Sequence, residues 1–526
     1  MASWRPVREP GGKGVIMPKL YDLASTMQND GMEPMEMEVD YLDHRMTARR
    51  LAKQLGINLK DLPGAGLFAA EEIVNFGSHH GTHLDAPSHY AVTVEGRPAK
   101  TIDQVVLGWL FHDAVRLDFS SKPNHEAIMV HDILAALDKI HYKLKPWDIV
   151  MTRVGAEDLF YEDPAFAHHG CGLSGEAIYW LFSQGIRITG TDSHTQDMPI
   201  PYMTERFKAG DRASYFPVHR SGGVVEYMHI EKIYGLKDLP GPTGYQVAAF
   251  PIKIEGGAGA WIRPVALQGL EFKPAEVDIV DLSAPIRRFS MEPQETILQN
   301  HPAARRRRQW AKRLNMKVSQ VDPRGAWDQV ILTTRAGTHM EAPFYFAPEV
   351  GGVAAKTIEQ VPLEWCYGQG VLLDFSHLPA TQAIEVNDLR EALKRIGHTL
   401  QKGDIIMLRT GAEDHFDGDP KFPDYGAGLS KEGLFWLLDQ GIKVIGTDAE
   451  SLDRPLSVML EDAKRGGPSA LFPVHVAARE REHCQVLKLY NLKSLPRPTG
   501  FQVFMAPVKI EGAGSGWVRA VAFVKK

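Results

Sequence analysis

The residues with the most chemistry to offer lie in one string, His79-His80-Gly81-Thr82-His83-Leu84-Asp85-Ala86-Pro87-Ser88-His89. Gly81 and Pro87 argue against a helix, so this is not a helical His-x-x-x-His zinc site. Side chains alternate in an extended segment, which would set His79, His83, Asp85 and His89 on one face. A straight strand would hold His79 and His83 ~13 Å apart at ~3.3 Å per residue. That is near the limit for two imidazoles meeting one ion at ~2.1 Å. A bend is therefore required, and Gly81 is where the backbone can supply it. Asp85 adds a carboxylate, which can bridge two ions. Imidazole together with carboxylate suits Zn, Mn or Fe over Ca or Mg. His80, on the opposite face, reads as structural.

A dication held there would lower the pKa of its water from ~15.7 to ~7 and give hydroxide at neutral pH. That hydroxide can attack an amide or ester carbonyl. His89, with a reference pKa of ~6.5, suits taking the proton and returning it to a leaving group. The sequence has no Gly-x-Ser-x-Gly nucleophile elbow, so metal-activated water is the economical mechanism. Glu157, His168, His169 and His194 read individually as surface residues.

The elements that must position these residues belong to a unit written twice. Residues 81–267 match residues 337–523 at a constant offset of 256, and further upstream the offset is 259. Lys253-Ile254-Glu255-Gly256 returns as Lys509-Ile510-Glu511-Gly512, and Gly190-Thr191-Asp192 as Gly446-Thr447-Asp448. Each copy mixes strands, such as residues 148–152 and 404–408, with helices at residues 132–140 and 174–185. Ser174 is the N-cap of the latter and Gly185 its stop. Strands alternating with helices at this spacing predict an α/β domain. The division expected is a polar arm over residues 1–16, a first domain over 17–267, a linker over 268–276 and a second domain over 277–526. The Arg305–Arg308 run reads as a solvated helix face.

The eleven-residue string resembles the His-x-Gly-Thr-His-x-Asp-x-Pro-x-His signature of the cyclase family of metal-dependent hydrolases, which includes kynurenine formamidase, isatin hydrolase and trans-dienelactone hydrolase. The likeness extends over both copies, through Asp22-Leu23, the turn at residues 190–192 and the ending at residues 253–266. It implies tandem copies of a swivelling β/β/α domain. It also implies metal ligation by His79, His83, Asp85, His219 and Glu231, one or two ions of Zn or Mn, and proton transfer by His89. Assembly of whole chains into a homodimer is a further expectation from family habit.

In the second copy the corresponding positions hold Arg335, His339, Glu341, Tyr345, His475 and Leu487. Leucine cannot ligate, and arginine puts a permanent cation where an imidazole stood. A degenerate site within a preserved frame is expected, with Arg335 paired to Glu341.

The composition narrows the remaining classes. The 526 residues carry 59 basic and 65 acidic side chains, a net charge of -6, which disfavours nucleic acid as a partner. No stretch approaches the ~20 apolar residues of a membrane span, and the N-terminus lacks the apolar core of a secretory signal. Three scattered cysteines offer neither a disulfide framework nor a thiolate site, so a reducing cytoplasm is expected. The reading is a hydrolase of an amide, cyclic imide, lactone or formamide bond in a small molecule. A metal-dependent lyase or cyclase working through an enolate, and a non-catalytic metal-dependent binding protein, are the alternatives.

Overall fold

The computed structural model describes residues 17–29, 33, 37–64, 66–288, 296–301, 308, 312, 317 and 325–526. The arm over residues 1–16 and nearly all of the arginine run lie outside them.

Each copy builds a mixed nine-stranded sheet around four short parallel strands. In the first copy these are Phe111–Asp118, Ile149–Arg153, Ile188–Thr191 and Met228–Glu231. Their runs of buried apolar residues are what parallel strands covered on both faces require. On one flank, Met228–Glu231 pairs antiparallel with His83–Asp85, which in turn pairs with Gly259–Trp261. On the other flank come Gln246–Ala248, Val265–Gln268 and Lys19–Asp22. The second copy repeats the order from Val277–Asp281 to Ser515–Trp517. The class is α/β, in two tandem copies.

The helices predicted at residues 174–185 and 132–140 form over Gly175–Ser183 and Val130–Lys139. The Ser174 side chain accepts a hydrogen bond from the Ala177 amide at 3.0 Å, satisfying one of the donors a helix start leaves free. Gly185 ends the segment at φ +83, where a Cβ would also press on Pro146. Both helices cover the outer face of their sheet and close a core around Ile133, Ile178, Leu181 and Phe166.

The inner faces meet. One continuous core draws on both copies, joining Leu84, Phe111 and Trp261 with Met340, Trp517 and Phe523. Trp261 and its equivalent Trp517 stack at 4.5 Å. A four-stranded antiparallel sheet crosses the junction through Ile297–His301, Trp327–Thr333, Glu71–Gly77 and Glu38–Leu42. There Asn75 pairs with Ile331, Ile73 with Thr333 and Gly77 with Gln329. Asn75 and Ile331 are equivalents at the offset of 256, so a pseudo-two-fold axis passes between them. Contacts around it are reciprocal: Asp328 accepts from the Ala258 amide at 2.7 Å and Glu72 from the Gly514 amide at 2.6 Å.

Candidate metal centre

The strand His83–Asp85 is the centre of the site, and its register explains the grouping around it. Asp85 lies opposite His229 and Gly259, while His83 lies opposite Glu231 and Trp261. Directly paired residues share a face, as do residues two apart. His83, Asp85, His229 and Glu231 therefore project together. Gly259 keeps that face open, because a Cβ there would come within 2.7 Å of His79 Cε1.

The string is extended only over these three residues. His79 is delivered by a turn in which Gly81 has φ +56, the bend its position predicts. His89 stands on the short helix Pro87–Tyr90 instead of an extended run. Pro87 starts this helix without penalty, since a first-turn residue needs no amide donor. The common face thus arises from turn, strand and helix in succession. Lys232 pins the turn by donating to the His79 carbonyl at 2.8 Å and pairing with Glu33 at 2.5 Å.

Asp85 is fully buried and divides its oxygens between two groups. Oδ1 lies 2.7 Å from His79 Nδ1 and 3.3 Å from His83 Nε2. Oδ2 lies 2.8 Å from His229 Nε2, 3.5 Å from His89 Nε2 and 3.7 Å from His219 Nε2. Glu231 reaches His229 Nε2 at 3.2 Å and His83 Nε2 at 3.6 Å. Two sets with metal-ligand spacing result, His79-His83-Asp85 and Asp85-His219-His229-Glu231. Among the described residues both lie in the first copy.

Four imidazoles have their outer nitrogen engaged by protein. Nδ1 of His83 faces the Gly81 carbonyl at 2.9 Å, that of His219 faces Asp197 at 2.5 Å, and that of His89 faces the Ala326 carbonyl at 2.5 Å. His229 Nδ1 meets the Tyr227 hydroxyl at 3.1 Å, and that hydroxyl donates to the Val218 carbonyl at 2.9 Å. Donation from Nδ1 of His83, His219 and His89 leaves their Nε2 lone pairs facing inward, the arrangement that orients metal-ligating histidines. Buried and without hydrogen-bond partners are Nε2 of His79, His83 and His229 and both oxygens of Asp85. Such orphaned atoms are costly unless a further group completes them, and the donor set fits a cation.

Electrostatics agree with close packing of opposite charge. Burial raises Asp85, but His89, His79 and His229 outweigh it and hold the carboxyl well below its usual range. Burial lowers His229, yet Asp85 and Glu231 push it up to about 10. Burial drives His89 well below its ordinary value, against the pull of Asp85, so its imidazole is neutral.

The structure brings all six predicted residues together and adds others. His229 was hidden in the sequence, although its spacing from Glu231 on a strand is the signal that would have found it. Asp197 also accepts the Val218 amide at 2.7 Å and so holds the helix Pro217–Ser221 that carries His219. Ala326 comes from the second copy. Glu157, expected at the surface, is buried and tied by Arg153 and the Gly235 and Lys237 amides. His194, also expected there, is half-buried beside Glu33 and Lys232, and burial pushes it down to about 4.

In the second copy the frame persists with only part of the ligand set, His339, Glu341 and His475. Lys488 donates to the Arg335 carbonyl at 2.8 Å as Lys232 does to His79. Arg335 Nε lies 3.5 Å from Glu341, the expected pair. Gln485 replaces His229, Leu487 replaces Glu231, and Ser515 stands where Gly259 leaves space.

The family described as "Putative cyclase" matches residues 21–198 and 280–454. Isatin hydrolase of Roseibium aggregatum is 27% identical over 215 residues, covering 38% of this chain and 76% of that protein. Kynurenine formamidase of Salinibacter ruber is 23% identical over 214 residues, covering 40% and 84%. A solved isatin hydrolase A from Ralstonia solanacearum is 21% identical with a TM-score of 0.39, covering 48% of this chain and 92% of its own.

Proposed function

The chain belongs to the cyclase family in both of its copies, and on that premise we propose that the first copy is a metal-dependent hydrolase of an amide-type bond in a small molecule. His79, His83, Asp85, His219 and Glu231, joined by His229, are its metal ligands, and His89 is its proton carrier. The observation that carries this reading is the Asp85 carboxylate set between two groups of imidazoles, with Nδ1 of His79 and Nε2 of His83, His219 and His229 turned toward it. The imidazole-rich set favours Zn or Mn. Ions bound there supply Lewis acidity to a carbonyl and lower the pKa of a water.

The protein's own residues do the rest. Asp197, Gly81 and Tyr227 fix the tautomers of His219, His83 and His229 through Nδ1. His89 donates Nδ1–H to the Ala326 carbonyl and presents a neutral Nε2 toward the cluster. A neutral imidazole can accept a proton from the attacking water and return it to the departing nitrogen or oxygen. Burial of the site at 8% exposure or less for His83, Asp85, His89, His219 and Glu231 limits competing water.

The names of the two relatives support a small cyclic amide or formamide as substrate, with cyclic imides and lactones close in chemistry. Among the described residues no helix is long and apolar enough to cross a membrane. The three cysteines are free and buried, in keeping with a cytoplasmic setting. Purified protein with its metal content measured is assayed against formamides, cyclic imides, lactones and carbamates in oxygen-18 water. One label per product supports hydrolysis. Turnover without label shows a lyase, and full activity without metal overturns the reading.

A further inference from the structure

The second copy's degenerate site is open. A cavity of about 550 Å³ lies there, walled by Arg50, Leu51 and Phe68 of the first copy and by Arg335, Tyr345 and Phe472 of the second. That volume accommodates a small organic ligand. We propose that this cavity is a second ligand site, for an uncharged planar ring compound that carries a carbonyl next to an N–H.

The charges decide the class. Arg335 faces three carboxylates: Glu71 and Glu341 at 3.5 Å and Glu450 at 3.7 Å. Charge-assisted hydrogen bonds run ~2.7–2.9 Å, so the guanidinium is compensated at a distance but loosely held. Its Nε is buried and has no hydrogen-bond partner, as has Thr333 Oγ1. An anion entering here would meet the carboxyl groups of Glu71, Glu341, Glu450 and Asp453. A cation would meet the guanidinium groups of Arg50, Arg335 and Arg454. A neutral molecule avoids both. Its carbonyl oxygen can accept from Arg335 Nε or the Thr333 hydroxyl, while its N–H donates to a facing carboxylate. Phe68, Tyr345, Tyr425 and Phe472 supply flat apolar walls. Only the second cleft is involved, whether or not the first cleft hydrolyses amides.

The probe is isoquinolin-1-one, an aromatic lactam resistant to hydrolysis, titrated into the full-length protein by calorimetry. 1-Naphthoate and 1-naphthylmethylamine serve as charged comparators of the same ring size. At least one lactam per chain is expected, with one site persisting in Asp85→Asn and both comparators at least tenfold weaker at that site. Arg335→Gln should weaken binding at least tenfold, and Asp85→Asn should leave it unchanged. Leu456→Trp, at the half-open rim with Leu456 38% exposed, should also weaken it by obstructing the cavity mouth. If Arg335→Gln melts before it can be titrated, Leu456→Trp decides. Absence of lactam binding overturns the proposal. So does tighter binding of the anion, or binding lost in Asp85→Asn and retained in Leu456→Trp.

Discussion

At the residue scale, the site separates holding from proton transfer. His83→Ala and Asp85→Asn should abolish metal retention, because each removes a ligand from a buried set with little freedom to adapt. His89→Ala should keep its metal and lose turnover by roughly 10²–10⁴-fold, the usual worth of a positioned acid–base group. Elemental analysis beside steady-state rates checks both. In the second copy His339→Ala and His475→Ala should leave metal per chain unchanged. Arg335→Ala should lower the melting temperature, since it strands the carboxylates of Glu71, Glu341 and Glu450. If His339→Ala removed as much metal as His83→Ala, the division between a working and a degenerate site would fail.

At the scale of elements, the strand Gly259–Trp261 makes the most specific demand. A Cβ on residue 259 would meet His79 Cε1 at 2.7 Å and the Leu84 carbonyl at 3.0 Å, so neither the ring nor the backbone can yield cheaply. Gly259→Ala should weaken the His79 group roughly 10–100-fold in metal affinity, measured by competition with a chromogenic chelator. Ser515→Gly, the reciprocal change, should not create a site. These two positions also show what was legible in the sequence. His79, His83, Asp85 and His89 sit within one string, and the offset of 256 exposed the tandem organisation. The helices at residues 132–140 and 174–185 followed from local caps and periodicity. Assuming extension through Pro87 missed the short helix at His89. His229 and Gly259 became visible only through strand register, and Ala326 acts through a backbone carbonyl more than 230 positions from His89. No side-chain type advertises such a contact.

At the scale of the whole molecule, the two copies behave as one folding unit, because a single core and a four-stranded sheet span both. A protease site placed at residues 269–271, between Val265–Gln268 and the buried Phe272, should give two fragments that elute together on gel filtration and keep activity. Separate elution under native conditions would contradict the shared core. The junction also carries a pH signature. Burial raises Glu72 to about 7, against hydrogen bonds from Gly514 and Thr334. The folded state therefore binds more protons than the unfolded one between pH ~4.5 and ~7, and stability falls as pH rises through that window, by up to ~3 kcal/mol from this group. Glu72→Gln should reduce the loss of melting temperature between pH 5 and pH 8; an undiminished loss would assign it elsewhere. The axis through Asn75 and Ile331 has one more consequence. Two identical subunits would place a residue there opposite itself, and every substitution nearby would appear twice. Fusion into one chain lifts that constraint, so an amide faces an isoleucine and Gln329 donates to Asn75. Each side can then diversify independently at a fixed one-to-one ratio, and one cleft can explore new chemistry while the other keeps the old.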